Sequence, residues 1–473
     1  MNNPESSPDN PSTSESRAKP PLRVRVAVVA ASVVCALLIF EVFLRLVGYT
    51  YPVFYRPDEA RGYSLWPGVE GRYRREGAAH VRINSDGLRD REHAQPKPAN
   101  TLRIAVVGDS YAEAFQVERE QTFWSVLEAG LRDCPALAGR EVEVINFGVS
   151  GYGTAQELLT LREKVWGYSP DVVLLAVTTN NDVLDNSRAL KMTDEIPYFV
   201  MNGDQLTLDD SFRHTAAFRL RNSAPNRLGR WLRQHLRFVQ AVHEGQGAIK
   251  SRLDAWRERR RLAKEREKSG AVPATAAQPN APQAGGPAPA GAGPADELGT
   301  ANVIYREPAD DVWRGAWLVT ERLLAEMNAE VKSHGARLYV VTLSNGIQVY
   351  PDPAAREAFR QRVGAADLFY AERRFADVGA RAGFPVYNLA PDLQVYADQN
   401  RVFLHGFGAQ RGNGHWNAEG HRVAGEMLTR RLCDWLARDS SGIYDEGKRE
   451  GGSPDETPQA LDARARRAAR AVR

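Results

Sequence analysis

The feature that most constrains this chain is a succession of short, β-branched apolar runs, each followed by a helical pattern. "LRIAVVGDS" ends in a Gly-containing turn and leads into the helical "QTFWSVLEAGLRD". "EVEVINFGVSG" leads into "AQELLTLREKVW", and "DVVLLAVTTNND" makes a third run. "ARLYVVTL", preceded by a long helical pattern from Val312 to Lys332, is a fourth, and "FPVYNL" a weaker fifth. A final helix is expected from about Asn417 to Ala437. Runs that are continuously apolar suit strands covered on both faces. The pattern therefore predicts an α/β fold, a three-layer α/β/α arrangement around a mainly parallel five-stranded sheet. In such sheets functional residues gather where the chain leaves the carboxyl ends of the strands.

The N-terminal region carries a different signal. Residues 1–22 are polar and rich in Ser, Pro and Asn, which predicts disorder. Residues 23–47 then read as a transmembrane signal anchor: Val26 to Phe40 is free of charge and apolar character resumes to Val47, enough for the roughly 20 residues that a span needs. No small-x-small cleavage site follows the apolar run, which argues against a cleaved signal peptide. Arg17, Lys19, Arg23 and Arg25 precede it, so the N-terminus is expected in the cytoplasm and the bulk of the chain outside, in the periplasm if the source is Gram-negative.

Residues 50–100 read as a small β-rich lead-in, with alternating apolar residues and an Asp-Gly turn in "HVRINSDGLRD". The main domain, 101–438, is interrupted by an insertion at 213–300. Its first part, 226–268, is an Arg-rich helical arm, whose clusters suit anionic head groups or an acidic polymer, while its mixed charges suit a solvated arm. Residues 269–298 are Ala, Pro and Gly repeats, the composition of a disordered linker, and 439–473 form a basic tail. The net charge of +3 gives no reason to expect a nucleic-acid partner. Of three cysteines, Cys35 lies in the apolar run, while Cys134 and Cys433 either pair in an oxidising compartment or stay buried thiols. Neither cysteine spacing nor a Gly-rich dinucleotide fingerprint calls for a metal or an organic cofactor, so none is expected.

Chemistry-bearing residues fall at the strand exits. Ser110 follows the first strand at the mouth of a helix, where a Ser serves as helix cap or, with the surrounding N–H groups, as a nucleophile beside an oxyanion site. The second exit offers Gly148, Gly151 and Gly153, with Ser150 as a rival nucleophile. The third offers Asn180, Asn181 and Asp182, which suit either a turn or an amide donor to an oxyanion. "RGNGHWNAEGH" places His415 in a Gly-rich loop before the last helix and His421 inside that helix.

In their order and placement these blocks closely resemble the SGNH (GDSL-type) hydrolase superfamily, over roughly residues 100–190 and 335–437. The resemblance implies a flavodoxin-like sheet, with Ser110 in "GDS" as nucleophile and His415 as general base. It implies an oxyanion hole from the Ser110 amide, Gly151 in "NFGVSG" and Asn181 in "NND", with Asp109 and Asp182 in support. Two departures stand out. Thr179 replaces the usual Gly of the third block, and the usual Asp before the His is missing, its place held by Gly412 and Asn413. Asn413, a backbone carbonyl, or Asp392 or Asp398 upstream then become the candidates to orient His415.

The function these residues imply is a membrane-anchored, extracytoplasmic serine esterase or acyl hydrolase acting on an ester, with an acylated glycan or lipid as candidate substrates. An O-acetyltransferase of an envelope polysaccharide uses the same chemistry with a sugar hydroxyl in place of water. A non-catalytic carbohydrate- or envelope-binding protein, or one acting through its Arg-rich arm, are the alternatives of a different class. The oligomeric state is not legible.

Overall fold

The computed structural model of the protein describes residues 21–247, 249, 250, 253 and 298–440. It opens on the helix Leu22–Leu46 (α1), 25 residues long or about 37 Å at 1.5 Å per residue, longer than the hydrocarbon core of a bilayer. Its side chains are exposed almost throughout, Glu41 and Leu44 being the buried ones.

Two antiparallel hairpins follow. Tyr55–Asp58 (β1) pairs with Gly62–Leu65 (β2), and Glu70–Tyr73 (β3) with Ala79–Arg82 (β4). On β4 the period-2 pattern is plain: Ala79 and Val81 are buried, His80 and Arg82 exposed. The inner faces of the hairpins do not form a core of their own. Phe54, Leu65, Val69, Val81 and Ile83 pack with Phe115, Val149 and Tyr152, which belong to the loops after the first two strands of the main sheet. The lead-in is thereby built onto the site.

The main sheet is formed by Thr101–Gly108 (β5), Glu141–Asn146 (β6), Val172–Val177 (β7), Arg337–Thr342 (β10) and Val386–Asn388 (β11). All pairings are parallel, in the order β6-β5-β7-β10-β11. This is the flavodoxin-like doubly wound order, whose crevice opens where the connections reverse, between the first and third strands of the sheet. Alternate side chains serve two cores. Ala105, Val107, Val173 and Leu175 face one side, with Trp317, Leu324 and Met327 of the helix Asp311–Ser333 (α10). Ile104, Val106, Leu174 and Val341 face the other, with Trp124 and Leu127 of Phe123–Leu131 (α3) and Leu428 and Leu432 of Ala418–Ser440 (α14). Shorter helices complete the layers: Ser110–Glu113 (α2), Thr154–Glu163 (α4), Thr179–Leu184 (α5), Arg188–Lys191 (α6), Pro353–Val363 (α11), Tyr370–Ala382 (α12) and Leu389–Asn400 (α13). The expected three-layer α/β/α fold with five parallel strands is the one observed.

Between β7 and β10 the chain forms a further hairpin, Tyr198–Asn202 (β8) with Gln205–Asp209 (β9), that the sequence reading did not separate. The inserted arm follows as Ala216–Arg221 (α7), Ala224–His235 (α8) and a helix over residues 237–247 (α9). Most of the arm beyond 247, the linker up to residue 297, the N-terminal segment up to residue 20, for which disorder was expected, and the tail beyond 440 lie outside the described residues. Cys134, just after α3, is disulfide-bonded to Cys433 of α14, with 5.8 Å between their Cα atoms. The paired alternative for these cysteines therefore holds.

Candidate active site

Ser110 is the first residue of α2, at the carboxyl end of β5. The N–H groups of a first helical turn have no partner inside the helix, so the Ser110 amide points outward as a donor. Asp109 caps this turn, accepting from the Tyr111 N–H at 3.0 Å. The same carboxylate accepts from the Thr178 hydroxyl at 3.0 Å and from Asn181 Nδ2 at 2.8 Å, tying the loop after β5 to the loop after β7. Asn180 Nδ2 donates to Asn181 Oδ1 at 3.0 Å. With its oxygen held on one side and one amide hydrogen on Asp109, Asn181 keeps its second Nδ2 hydrogen as a donor of fixed orientation. Asp182 lies beneath, accepting from the Thr178 N–H at 2.7 Å and the Thr154 hydroxyl at 2.9 Å. Burial and the charge of Asp109 hold Asp182 well above the usual carboxylate range, and Glu157 is raised by burial and by Asp182.

The loop after β6 turns at Gly151, whose φ of +77° favours glycine. A Cβ there would also meet the Tyr63 hydroxyl 2.7 Å away. Tyr63, from β2, donates to the Ser150 carbonyl at 2.9 Å, so the lead-in braces this turn. Ser150, the rival nucleophile, uses its N–H on Glu113 Oε1 at 3.1 Å.

His415 completes the arrangement. Its Nε2 lies 2.8 Å from Ser110 Oγ. Its Nδ1 lies 2.5 Å from Glu76 Oε2, and its backbone N–H donates to Glu76 Oε1 at 2.7 Å. With Nδ1–H donated to a carboxylate, Nε2 carries the lone pair that can take the serine proton. Burial works to raise the Glu76 carboxyl, but its hydrogen bonds with His415 and the attraction of that ring hold it below its ordinary value.

Glu76 sits in the turn between β3 and β4, 339 residues before His415. The candidates named for the orienting role are therefore corrected. Glu76, not Asn413, meets Nδ1. Asp398 is engaged by Arg356 at 2.6 and 2.7 Å, and Asp392 by the Tyr387 hydroxyl at 2.6 Å. A glycine at 414 is required by this contact: its φ is +80°, and a Cβ would run into the Glu76 carboxylate.

The loop that carries His415 is fixed from behind. Gly406 N–H donates to the His415 carbonyl at 2.8 Å. His405 Nδ1 donates to the Gly414 carbonyl at 2.7 Å, and its Nε2 accepts from the Ser344 hydroxyl, which in turn accepts from Trp416 Nε1, both at 2.9 Å. Burial pushes His405 down to about 4, so it is a neutral strut. His421 stacks on Phe123 inside the fold and accepts from the Phe123 N–H at 3.3 Å. Burial pushes it to about 3, in keeping with the structural role expected of it.

The structure thus brings Ser110, Gly151, Asn181, Asp109, Asp182 and His415 to the carboxyl-end crevice of the sheet and adds Glu76. In the sequence Glu76 is one acid in "RYRREGAAH", and only the neighbouring Gly77 marks the turn. Among the described residues no cluster of three or more His, Cys, Asp or Glu side chains is placed to hold a metal ion.

No protein-family model and no curated protein matches the sequence. Among solved structures, the chain is similar to an acetyl xylan esterase, AlAXEase, at 11% identity over 70% of this chain and 99% of that one, with a TM-score of 0.32. It is similar to a proposed lipolytic protein of the G-D-S-L family from Desulfitobacterium hafniense DCB-2 at 11% identity, over 69% and 98% of the two chains, with a TM-score of 0.29. A lipase/acylhydrolase from Enterococcus faecalis matches at 13% identity over 70% and 96%, with a TM-score of 0.30. The strand order, taken on its own, gives the chain a flavodoxin-like three-layer fold with the motif loops at the carboxyl ends of its strands.

Proposed function

We propose that the protein is a serine esterase or acyl hydrolase of SGNH type, anchored in a membrane by α1 and facing the extracytoplasmic side. The observation that carries this reading is the continuous chain Ser110 Oγ, His415 Nε2, His415 Nδ1, Glu76, at 2.8 and 2.5 Å. Ser110 Oγ attacks the ester carbonyl while His415 Nε2 takes its proton. Glu76 keeps the ring in the required tautomer and stabilises the imidazolium. The oxyanion of the tetrahedral intermediate is received by the Ser110 and Gly151 amides and Asn181 Nδ2. Collapse breaks the ester C–O bond, and His415 returns the proton to the departing alcohol. Water then attacks the acyl-serine by the same steps in reverse, releasing the acid and restoring Ser110. A sugar hydroxyl entering in place of water would make the protein an O-acyltransferase, with an acylated glycan or lipid as partner.

In the sequence alone, the Asp missing before His415 favours a non-catalytic binding protein. Glu76 supplies a carboxylate at Nδ1, so that feature no longer weighs against catalysis. The extracytoplasmic placement is supported by the basic residues before and in the first turn of α1 and by the Cys134–Cys433 disulfide, a bond that persists in oxidising compartments. The test is hydrolysis of p-nitrophenyl acetate by the full chain in detergent. Turnover that Ser110→Ala and His415→Ala both abolish supports the reading, and wild-type protein without turnover contradicts it.

A further inference from the structure

The inserted arm presents a helix whose apolar side faces outward. On α8, Leu228, Trp231 and Leu232 share one side at helical spacing, and Arg227, Arg230 and Arg233 lie around the other. Taken along the whole arm the charges look mixed, but within this helix they segregate. A surface helix of a water-soluble fold buries its apolar stripe. Here Leu228 and Trp231 are 58% and 51% exposed, whereas Arg230 and Arg233 are half-buried. Arg230 is bonded back to the Arg221 carbonyl, and Leu220 of α7 adds a further exposed apolar side chain.

A second observation fixes where this side lies. The carboxyl end of α8 and the start of α9 are fastened to the last turns of α1: Arg45 Nη2 donates to the His235 carbonyl at 2.7 Å, and Glu41 Oε2 accepts from the Phe238 N–H at 2.9 Å. The chain just beyond α1 is held too, with the Tyr51 N–H on Gln240 Oε1 at 2.9 Å. If α1 spans the bilayer, its end is the level at which hydrocarbon gives way to head groups, and α8 is tied at that level.

We propose that α8 is an interfacial helix, its Leu228–Trp231–Leu232 side bedded in the boundary between acyl chains and head groups of the outer leaflet. Arg227, at the edge of that side, meets anionic phosphates, and Trp231 takes the headgroup-level position that indole rings favour. The bilayer is then gripped by two elements, a span and a helix lying flat beside it. The hydrolase domain is held in one orientation instead of swinging on the short segment after Leu46. This inference rests on the reading of α1 as a membrane span.

The test uses the full chain in nanodiscs of mixed phosphatidylcholine and phosphatidylglycerol, in a Cys35→Ser background. An environment-sensitive dye is attached at Leu228→Cys or, separately, at Val33→Cys within α1. The expected result is blue-shifted emission at Leu228→Cys, quenched several-fold by lipids spin-labelled near the head group and less by lipids labelled deep in the chain. Val33→Cys should show the opposite depth preference. Water-like emission at Leu228→Cys with a quenched Val33→Cys overturns the interfacial helix and leaves the span standing. Water-like emission at both positions overturns both. Blue-shifted emission at Leu228→Cys that no spin-labelled lipid quenches means that protein covers this side, and overturns the proposal.

Discussion

Glu76 and His415, 339 residues apart in the chain, meet through two contacts at once: the carboxylate lies 2.5 Å from Nδ1 and accepts the backbone N–H of the same residue at 2.7 Å. The first contact sets the tautomer, and the second fixes where the ring begins. A carboxylate delivered by a separate hairpin can thus take the place of one two or three residues before the histidine, provided the hairpin is packed rigidly on the site. The shared core of Phe54, Val81 and Ile83 with Phe115 and Val149 supplies that rigidity.

Glu76→Gln keeps the shape of this contact but can accept only through one oxygen and offers the wrong partner to Nδ1–H. By the behaviour of serine hydrolases in which the acid is amidated, kcat falls by roughly 10²–10⁴ with KM little changed. Asn413→Ala should leave kcat/KM near the wild-type value. Steady-state hydrolysis of p-nitrophenyl acetate by the two variants checks both, and the reverse ranking would return the orienting role to Asn413.

Asn181→Ala removes the side-chain donor proposed for the oxyanion while leaving the two proposed backbone donors. The expected loss is about 10²–10³ in kcat. Because Asn181 also donates to Asp109, a melting measurement should accompany the kinetics. A loss carried by KM alone would place Asn181 in substrate binding and not in the oxyanion hole.

Cys134 and Cys433 close a loop across 299 residues and clamp α3 to α14, on the layer that also carries His421. Opening it by Cys433→Ser is expected to lower stability by about 2–5 kcal/mol. Thermal melts should show wild type in reductant falling to the variant's value. Esterase activity well below the melting point should persist, since neither sulfur touches Ser110 or His415.

Glu113 lies under the site, accepting from the Tyr55 hydroxyl at 2.8 and 2.9 Å and from the Ser150 N–H. Burial raises its carboxyl from 4.5 to about 7 against the pull of these bonds and of Arg89. The folded protein therefore holds a proton that the unfolded chain releases, and stability falls as pH rises from about 4.5 to 7. Glu113→Gln removes the charge and should be more stable than wild type by ~3 kcal/mol at pH 8. The difference should vanish near pH 4.5, the ordinary value of the group. Melting temperatures at the two pH values read this directly.

Much of this is legible in the sequence alone. The runs at Ile104–Val107 and Val172–Val177 are apolar at every position, which is what burial on both faces requires, and they place Ser110 and Asn181 at strand ends, which the parallel pairing of β5 with β7 brings side by side. Glu76 was not legible because its role depends on a tertiary contact: nothing in "RYRREGAAH" distinguishes a catalytic acid from a solvated one. The lead-in read as a separate piece for the same reason, since its four-residue strands say nothing about what their inner faces touch. On α8 the residue types were visible from the start. The outward turn of Leu228 and Trp231 depended on how the arm is tied to α1.

In the proposed mechanism Ser110 is a nucleophile activated by His415 and Glu76. Its most direct test is the reaction of the full chain with a fluorophosphonate, followed by peptide mapping of the adduct. A single adduct on Ser110 is expected, absent in Ser110→Ala and formed at least about 10²-fold more slowly in Glu76→Gln. An unlabelled wild-type protein, an adduct on Ser150, or a Glu76→Gln variant labelled at the wild-type rate would contradict it.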